Sequence, residues 1–366
     1  MRALAWQAGA VALVLALLVV LVVQTAANLR LRGLASGFGF LGRATGFEIS
    51  ASPLAYSPRD SYARALAVGL LNTVRVALLA IVLATALGLV LGIARLSRVR
   101  IVATLARAYV EVVRNTPLLL QLLFWYSLSQ ALPGPRDALR PLPGVFLCIR
   151  GLHLPGLAWH GGTRWLVAAA GALAIVVGLL RGISRRQRDR AGRALPTARL
   201  AAGAAAVLLV GAIAAGHPAV TLDRPALMRF GFEGGMSLTP EFAALLIGLS
   251  TNTAAFIGEI VRGGILAVDR GQTEAAAALG MSRARVLRLV VLPQALRVAL
   301  PPTTTQYLNL TKNSSLAVAI GYPDLMSIAD TTLNQTGQAV EVIALVMTVY
   351  LALSLVIALL MSAAEP

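Results

Sequence analysis

The sequence predicts an all-α polytopic membrane protein, and three observations support that fold class. Of the 366 residues, 58% are hydrophobic and 13% are charged, whereas a soluble domain has roughly 45–50% apolar and about 25% charged residues. The apolar residues form long blocks, such as 9–23, 66–94 and 339–364. The arginines lie mostly in the loops between such blocks. This pattern excludes a single soluble domain, a disordered chain and a disulfide scaffold.

The formal net charge of +17 fits either a nucleic-acid-binding surface or the positive-inside pattern of a membrane protein. Arginines placed between apolar blocks favour the membrane interpretation, so no nucleic-acid partner is expected. Cys148 is the only cysteine, and therefore no disulfide can form within the chain. The histidines at 153, 160 and 217 lack metal-ligand spacing, so no metal site is expected.

Because a helix needs about 20 apolar residues to cross the bilayer core, the sequence predicts about eight transmembrane helices. They are expected at 8–27, 66–95, 101–131, 165–182, 197–216, 240–264, 299–321 and 339–362. The first span follows Arg2 and is interpreted as an uncleaved anchor, with a cleaved signal peptide as the alternative. Residues 1–65 are then an anchor helix followed by an external loop.

The arginines of the short loops predict the orientation of these spans. With eight spans, the turns between spans two and three, four and five, and six and seven fall on one side of the membrane. These three turns are rich in arginine, so that side must be cytoplasmic. Both termini are then cytoplasmic, and the opposite loops are 28–65, 132–164, 217–239 and 322–338. The segment 132–164 is rich in Pro, Gly and aromatic residues, which predicts irregular surface structure with short interfacial pieces.

Residues 269–298 predict a helical hairpin on the cytoplasmic face. The alanine run after Glu274 favours a short helix, and Gly280 suits the left-handed position that ends it. Ser282 is a good N-cap for a second helix, which Pro293 is expected to interrupt. Such a hairpin is either an ordinary amphipathic loop at the membrane surface or a docking site for a cytoplasmic partner.

The spacing in this hairpin resembles the EAA loop of ABC-importer permease subunits. Glu274-Ala275-Ala276 is followed after three residues by Gly280, and after nine more by 290–293, Val-Val-Leu-Pro. The stretches 111–121, 259–265, 271–274, 292–297 and 309–316 resemble the branch that takes up histidine, glutamine, glutamate, arginine and opines. The resemblance covers 66–131 and 240–362, while the insertion 132–239, with two extra spans, resembles general L-amino-acid permeases.

The resemblance implies a type I ABC importer transmembrane domain over 66–362, in the bacterial inner membrane. A periplasmic binding protein would deliver the amino acid, and a second permease subunit, the same or related, would complete the path. The chain is then a transport subunit and not an enzyme, and it needs no cofactor of its own. It has no Gly-Lys-Ser/Thr phosphate loop, since Lys312 is its only lysine, so ATP and Mg are expected on a separate ATPase subunit.

In this interpretation the ATPase docks on the hairpin 269–293. The residues expected to couple it to transport are Glu274, Ala275, Ala276 and Gly280. The first of these is the acidic residue of the motif, and the small residues allow another surface to approach closely.

Charged side chains inside the predicted spans are candidates for the substrate path, because a charge at the bilayer centre costs roughly 2.5–3.5 kcal/mol. Glu111 and Arg114 share a helix face, so they either neutralise each other or serve the substrate. Lys312 either binds a substrate carboxylate or forms a buried ion pair with one of the glutamates at 111, 259 and 341. The predicted path residues are Glu111, Arg114, Asn115, Gln121, Glu259, Lys312, Asn313 and Ser314.

Two parts of the chain also repeat each other weakly. Residues 114–118 and 312–316 each read basic, Asn, hydroxyl, any residue, Leu, and an Asn-Thr pair lies early in the helix before each, at 72–73 and 252–253. Spans two–three and six–seven are therefore predicted to be a degenerate repeat with two polar breaks facing one central path. Donors at these breaks would bind a carboxylate, and Glu111 or Glu259 would meet the ammonium group.

Two other function classes remain open at this point. One is a proton- or sodium-coupled secondary transporter that uses Glu259 and Lys312 as its coupling pair. The other is a membrane scaffold that transports nothing. The hairpin 269–292 discriminates between these and an ATP-driven importer, because a symporter needs no dock for an ATPase.

Overall fold

A computed structural model describes residues 37–159, 197–216, 220–228 and 231–363, together with scattered positions within 6–24 and 171–184. The first and fourth predicted spans therefore lie outside the continuously described residues, as do the histidines at 160 and 217. The chain divides into two compact units, residues 1–131 with 239–366 and residues 132–238. The predicted insertion, 132–239, covers the residues of the second unit, and the predicted domain organisation stays a prediction.

Helices dominate the described residues. They are α1 (Tyr62–Arg95), α2 (Arg100–Asn115), α3 (Leu118–Gln130), α4 (Thr197–Gly216), α5 (Pro240–Leu266), α6 (Arg270–Ala278), α7 (Arg283–Val286), α8 (Leu292–Asn313), α9 (Leu325–Thr336) and α10 (Ala339–Ser362). A π-helical segment, Leu287–Val291, joins α7 to α8, and a 3-10 helix, Ser314–Ile320, follows α8.

Within the described part of the chain, three helices are long and apolar enough to cross a membrane, namely α1, α5 and α10. The predicted count of eight spans is therefore not confirmed. Two of the predicted spans are interrupted helices, because 101–131 is divided into α2 and α3, and 299–321 is the end of α8 followed by the 3-10 helix. The helix α4 occupies the position of the predicted fifth span.

Glycines allow α1 and α5 to pack closely in the first unit. A Cβ on Gly88 would lie 2.6 Å from Ile257 Cγ2, and one on Gly92 would lie 2.7 Å from Val261 Cγ1. The two glycines are four residues apart and so lie on one helix face, the G-x-x-x-G spacing typical of membrane helix contacts. This spacing was a signal in the sequence for the contact between α1 and α5.

The segment before α1, predicted to be part of a long external loop, folds onto the helices from residue 37 onward. Phe40 lies in a 3-10 helix, Phe38–Gly42, and is 1% exposed. It belongs to one apolar cluster with Leu325 of α9 and Val342 of α10. The backbone N–H of Gly37 donates to Glu341 Oε1 at 2.6 Å, so Glu341 is bound here by backbone and not by Lys312.

The second unit contains the β-structure of the described chain. Its strands are β1 (Leu139–Leu142), β2 (Val145–Cys148), β3 (Gly151–Leu154), β4 (Gly156–Trp159), β5 (Val220–Asp223), β6 (Ala226–Met228), β7 (Gly231–Glu233) and β8 (Met236–Leu238). They form an antiparallel sheet of order β1-β2-β3-β8 and two further antiparallel pairs, β4-β5 and β6-β7. The fold is therefore not all-α.

The prediction of irregular surface structure at 132–164 is wrong where β1 to β4 form, for two reasons. Pro143 and Gly144 form the two-residue turn between β1 and β2, and Gly144 has the positive φ of +79° that a proline-glycine turn requires. The partners of β3 and β4 lie beyond α4, which local patterning does not reveal. His153 is 6% exposed, and its Nδ1 lies 2.7 Å from Ser237 Oγ, so it belongs to the interior of this unit.

Candidate functional site

The first helix break lies between α2 and α3 and is caused by proline. Pro117 has no N–H to donate and disfavours helical geometry at the preceding residue, so Thr116 is extended, with φ −98° and ψ 126°. The side chain of Gln121 compensates, because its Nε2 donates to the carbonyls of Val113 at 3.0 Å and Thr116 at 2.9 Å. Gln121 therefore stabilises the backbone of the break.

The second helix break, at the end of α8, has no proline. After Asn313 the helix tightens into the 3-10 segment, which ends at Gly321 with a φ of +76°. Ser314 is fully buried and donates its hydroxyl to the carbonyl of Thr311 at 2.8 Å. Ser315 donates in the same way to the carbonyl of Lys312 at 2.8 Å. Hydroxyl groups thus satisfy the carbonyls that the change of helix type leaves free.

A cavity of about 410 Å³ joins the two breaks. Its lining comes from the first break, from α5 and from α8: Arg114, Thr116, Pro117, Leu118, Asn252, Thr253, Phe256, Gln306, Asn309, Leu310 and Asn313. Residues of both breaks therefore line one cavity, while their place in a substrate path stays a prediction. The pair Asn252-Thr253, which the sequence pattern also singled out, lies in the same wall.

Most polar side chains of this cavity form no hydrogen bond with the rest of the described protein. Among the described residues, the side-chain amides of Asn252, Gln306, Asn309 and Asn313 have no hydrogen-bond partner. The Arg114 guanidinium lies 5.1 Å from the ring centre of Phe256 and forms no ion pair within the described chain. No carboxylate is among the lining residues. One cation beside several amides suits a ligand with a carboxylate and other polar groups.

The other Asn-Thr pair has a different role. Asn72 Nδ2 donates to the carbonyls of Ala51 at 2.7 Å and Pro323 at 2.8 Å. Thr73 Oγ1 accepts a hydrogen bond from the N–H of Leu325 at 3.0 Å. This pair therefore fixes two connecting segments to α1, and the side-chain N–H donors of Asn72 are occupied.

Several predicted path residues lie outside the cavity lining, and their roles stay predictions. Glu111 is exposed and forms no ion pair with Arg114 in the described structure. Glu259 binds Arg95 and Arg262, with Oε1 2.6 Å from Arg262 Nη2. Lys312 is exposed and, among the described residues, pairs with none of the three glutamates proposed for it. The residues Asn115, Gln121 and Ser314 also lie off the lining.

The predicted hairpin is present, with α6 as its first arm. Asp269 caps α6 by accepting the N–H of Gly271 at 2.6 Å, and Gly280 ends the arm with a φ of +74°. Glu274 and Ala275 are exposed, and their role in docking stays a prediction. Ala276 differs, because it is 5% exposed and packs with Val286 and Val291 inside the hairpin.

The second arm does not end at Pro293, contrary to the prediction. The chain stays helical from α7 through the π-helical segment into α8. A π-turn accommodates a proline by widening the helix just before it. Gln294 Nε2 also donates to the carbonyl of Val290 at 3.0 Å. One continuous helical path therefore runs from the hairpin to Asn313 at the cavity.

Sequence reasoning missed Leu279, the residue before the turn glycine. Its side chain is 82% exposed, although leucine is apolar. A leucine directly before Gly280, where α6 ends, was the available signal. An exposed apolar side chain beside Ala275 and Gly280 gives the hairpin tip the character of a contact surface.

Comparison with known proteins gives consistent matches. Residues 84–366 match the family described as binding-protein-dependent transport system inner membrane component. The general L-amino acid transport system permease protein AapQ of Rhizobium johnstonii is 45% identical over 346 residues, covering 93% of this chain and 85% of that protein. The glutamate/glutamine/aspartate/asparagine transport system permease protein BztB of Rhodobacter capsulatus is 39% identical over 393 residues, covering 99% and 92%. A crystal structure of an amino acid ABC transporter with histidines aligns with a TM-score of 0.49 at 22% identity, covering 83% of this chain and 94% of that one.

Proposed function

The chain belongs to the family of binding-protein-dependent transport system inner membrane components, and from that membership we propose that it is a permease subunit of an ATP-driven amino-acid importer. Its cargo is polar or general L-amino acids, received from a periplasmic binding protein. A second permease subunit, the same or related, completes the path. A separate ATPase subunit binds ATP and Mg, and this chain holds no cofactor.

The observation that carries this proposal is the cavity at the two helix breaks. A free amino acid presents a carboxylate, which a guanidinium binds through two parallel hydrogen bonds, and Arg114 lies in the cavity wall. Amide oxygens of Asn252 and Asn309 are available to accept from the ammonium group. The volume of about 410 Å³ lies within the range of small-ligand pockets, roughly 300–1,000 Å³.

The hairpin supports ATP coupling through a partner. Its exposed tip is formed by Glu274, Ala275, Leu279 and Gly280. The large apolar side chain of the tip is Leu279, which lies beside the small residues Ala275 and Gly280. Small residues let a partner surface approach closely. Burial of the exposed leucine against a partner would stabilise the complex, because apolar surface is removed from water. Because the second arm continues into α8, a displacement of the tip would reach the cavity wall along one continuous helical path.

The ion-coupled alternative gains no support from the geometry. It required Glu259 and Lys312 to act as a coupling pair. Glu259 is instead bound by Arg95 and Arg262, and Lys312 forms no ion pair within the described residues.

The test is coupling in the assembled complex. The chain is purified in mild detergent with its co-expressed partners, and ATPase association, ATP hydrolysis and amino-acid uptake are measured for wild type and for Gly280→Asp. We expect an ABC-type ATPase to co-purify with wild type, and the variant to stay in the membrane with hydrolysis uncoupled from uptake, because the left-handed φ and the small side chain are lost.

The matched control is Gly263→Ala in α5, where an added Cβ meets nothing within 4 Å. It should transport like wild type. Coupled uptake of normal rate in Gly280→Asp would contradict docking at the hairpin. Amino-acid uptake by a preparation that contains no ATPase would contradict the proposed function itself.

A further inference from the structure

The charged side chains of α2 all lie on one face of that helix. Arg100, Arg107, Glu111 and Arg114 follow one another at spacings of seven, four and three residues, which repeat one face at 3.6 residues per turn. All four are exposed, and in the described chain none of them forms an ion pair. The other two sides of α2 are apolar, so the polar surface of this helix is confined to a single stripe.

These two apolar sides differ in their surroundings. Ala106 and Val110 are buried, 7% and 1% exposed, and face the packed side of α2. Leu105 and Val112 are 66% and 65% exposed and form a separate strip. The packed side of α2 contacts protein, and its exposed apolar side suits lipid. Its charged side does not suit lipid and therefore needs a third, polar environment.

The helix α2 also rises into the membrane rather than lying on its surface. It begins shortly after α1 ends at Arg95, which binds Glu259 toward the end of α5. Further along α2, Tyr109 donates its hydroxyl to the carbonyl of Thr251 at 3.1 Å, near the middle of α5. Since α5 is long enough to span the bilayer, α2 reaches from one end of that span to about its middle.

Arg107, Glu111 and Arg114 lie further along α2 than Arg100, and exposed charges at that depth need water, because each charge in hydrocarbon costs roughly 2.5–3.5 kcal/mol. The last of them, Arg114, also lines the cavity, so the stripe leads from the cavity toward the Arg100 end of α2. We propose that this stripe lines the water-filled inner half of the substrate path, and that Arg107 is a carboxylate-binding residue between the cavity and the cytoplasm.

This inference rests on the proposed function and specifies the charge of the cargo. Three arginines and one glutamate give the stripe a net charge of 3 − 1 = +2. A path lined mainly by one sign concentrates the opposite sign and repels its own. The path therefore favours acidic and neutral amino acids over cationic ones.

The first test is water access, which does not depend on transport. Single cysteines replace Thr104, on the charged side, or Leu105, on the exposed apolar side, in the complete complex with Cys148→Ser. Thr104→Cys keeps all four charges, and both positions are exposed in this chain. Inside-out vesicles are treated with an impermeant methanethiosulfonate reagent, and the rates of labelling are compared.

The expected result is labelling at 104 at least about tenfold faster than at 105, since a thiol in lipid is neither hydrated nor ionised. Slow labelling at both positions would show that protein or lipid covers the stripe and would overturn the proposal. Fast labelling at both would place α2 on the membrane surface and would also overturn it. None of these results depends on whether an ATPase associates, so failure here is distinct from failure of the proposed function.

The second test separates charge selection from general damage. We expect Arg107→Gln to lower uptake of L-glutamate about tenfold and uptake of L-glutamine by less than about twofold, because only the former carries a net negative charge. Arg107→Lys should restore most glutamate uptake. The matched control is Arg98→Gln, an exposed arginine in the turn before α2. Equal loss of both substrates at normal membrane abundance would contradict the role given to Arg107.

Discussion

The two halves of the membrane unit, residues 62–130 and 240–320, share one plan but use their polar residues differently. In each half a helix ends at an asparagine, Asn115 or Asn313, within a basic-Asn-hydroxyl sequence. At the first break the basic residue, Arg114, lines the cavity, and the asparagine does not. At the second break the asparagine lines the cavity, and the basic residue, Lys312, does not.

The Asn-Thr pairs differ in the same way. Asn72 and Thr73 are bound to connecting segments, whereas Asn252 and Thr253 lie in the cavity wall with no side-chain partner among the described residues. A repeated pattern thus gives a repeated backbone geometry. It does not decide which side chains stay free, because that depends on which donors the tertiary contacts use. The first half supplies the cation of the site, and the second half supplies all four of its side-chain amides, Asn252, Gln306, Asn309 and Asn313.

The largest difference between the halves should appear when the two basic residues are neutralised. We expect Arg114→Met to lower amino-acid uptake by about tenfold to 100-fold. This fold-change corresponds to the free energy that hydrogen bonds to a charged group contribute. Lys312→Met should have a smaller effect, because Lys312 is exposed and off the cavity. Uptake and membrane abundance are measured together. Equal losses at equal abundance would contradict the asymmetry and support the original prediction for Lys312.

The two asparagines provide a finer comparison. Asn72→Ala removes two donors to buried carbonyls and should lower the free energy of unfolding by about 1–3 kcal/mol. Asn252→Ala removes no hydrogen bond within the described protein, so it should leave stability unchanged and lower substrate affinity. Thermal unfolding in detergent and amino-acid binding report the two effects separately. A destabilised Asn252→Ala protein with normal affinity would show that the pairs are equivalent after all.

The residues that satisfy the breaks should affect stability alone, and Ser314 is expected to have the smallest effect of all. Gln121→Met strands the carbonyls of Val113 and Thr116, whereas Ser314→Ala removes one hydroxyl bond to Thr311. We expect losses in unfolding free energy of about 1–3 kcal/mol for the first and about 0.5–1.5 kcal/mol for the second. Chemical denaturation of the purified complex measures both. The reverse order would mean that the proline break satisfies its carbonyls without Gln121.

Some of this site follows from the sequence and some does not. The positions of both breaks follow from residues 114–118 and 312–316, and the hairpin turn follows from Gly280, because these are local backbone effects. The binding of Glu259 by Arg95 does not, since the two residues are far apart in sequence. The pairing of β3 with β8 is hidden for the same reason. The continuity of the hairpin with α8 is hidden because a proline normally signals a helix end.

The most direct test of the account is the position of an amino acid in the assembled complex. Cryo-electron microscopy of the permease–ATPase complex in nanodiscs with saturating L-glutamate should show the ligand in the cavity at the two breaks. Its carboxylate should lie within hydrogen-bond distance of Arg114, and its ammonium group should donate to the amide oxygen of Asn252. A ligand bound at Lys312 or Glu259, with the cavity empty, would contradict the central claim that the two halves form one site from different residues.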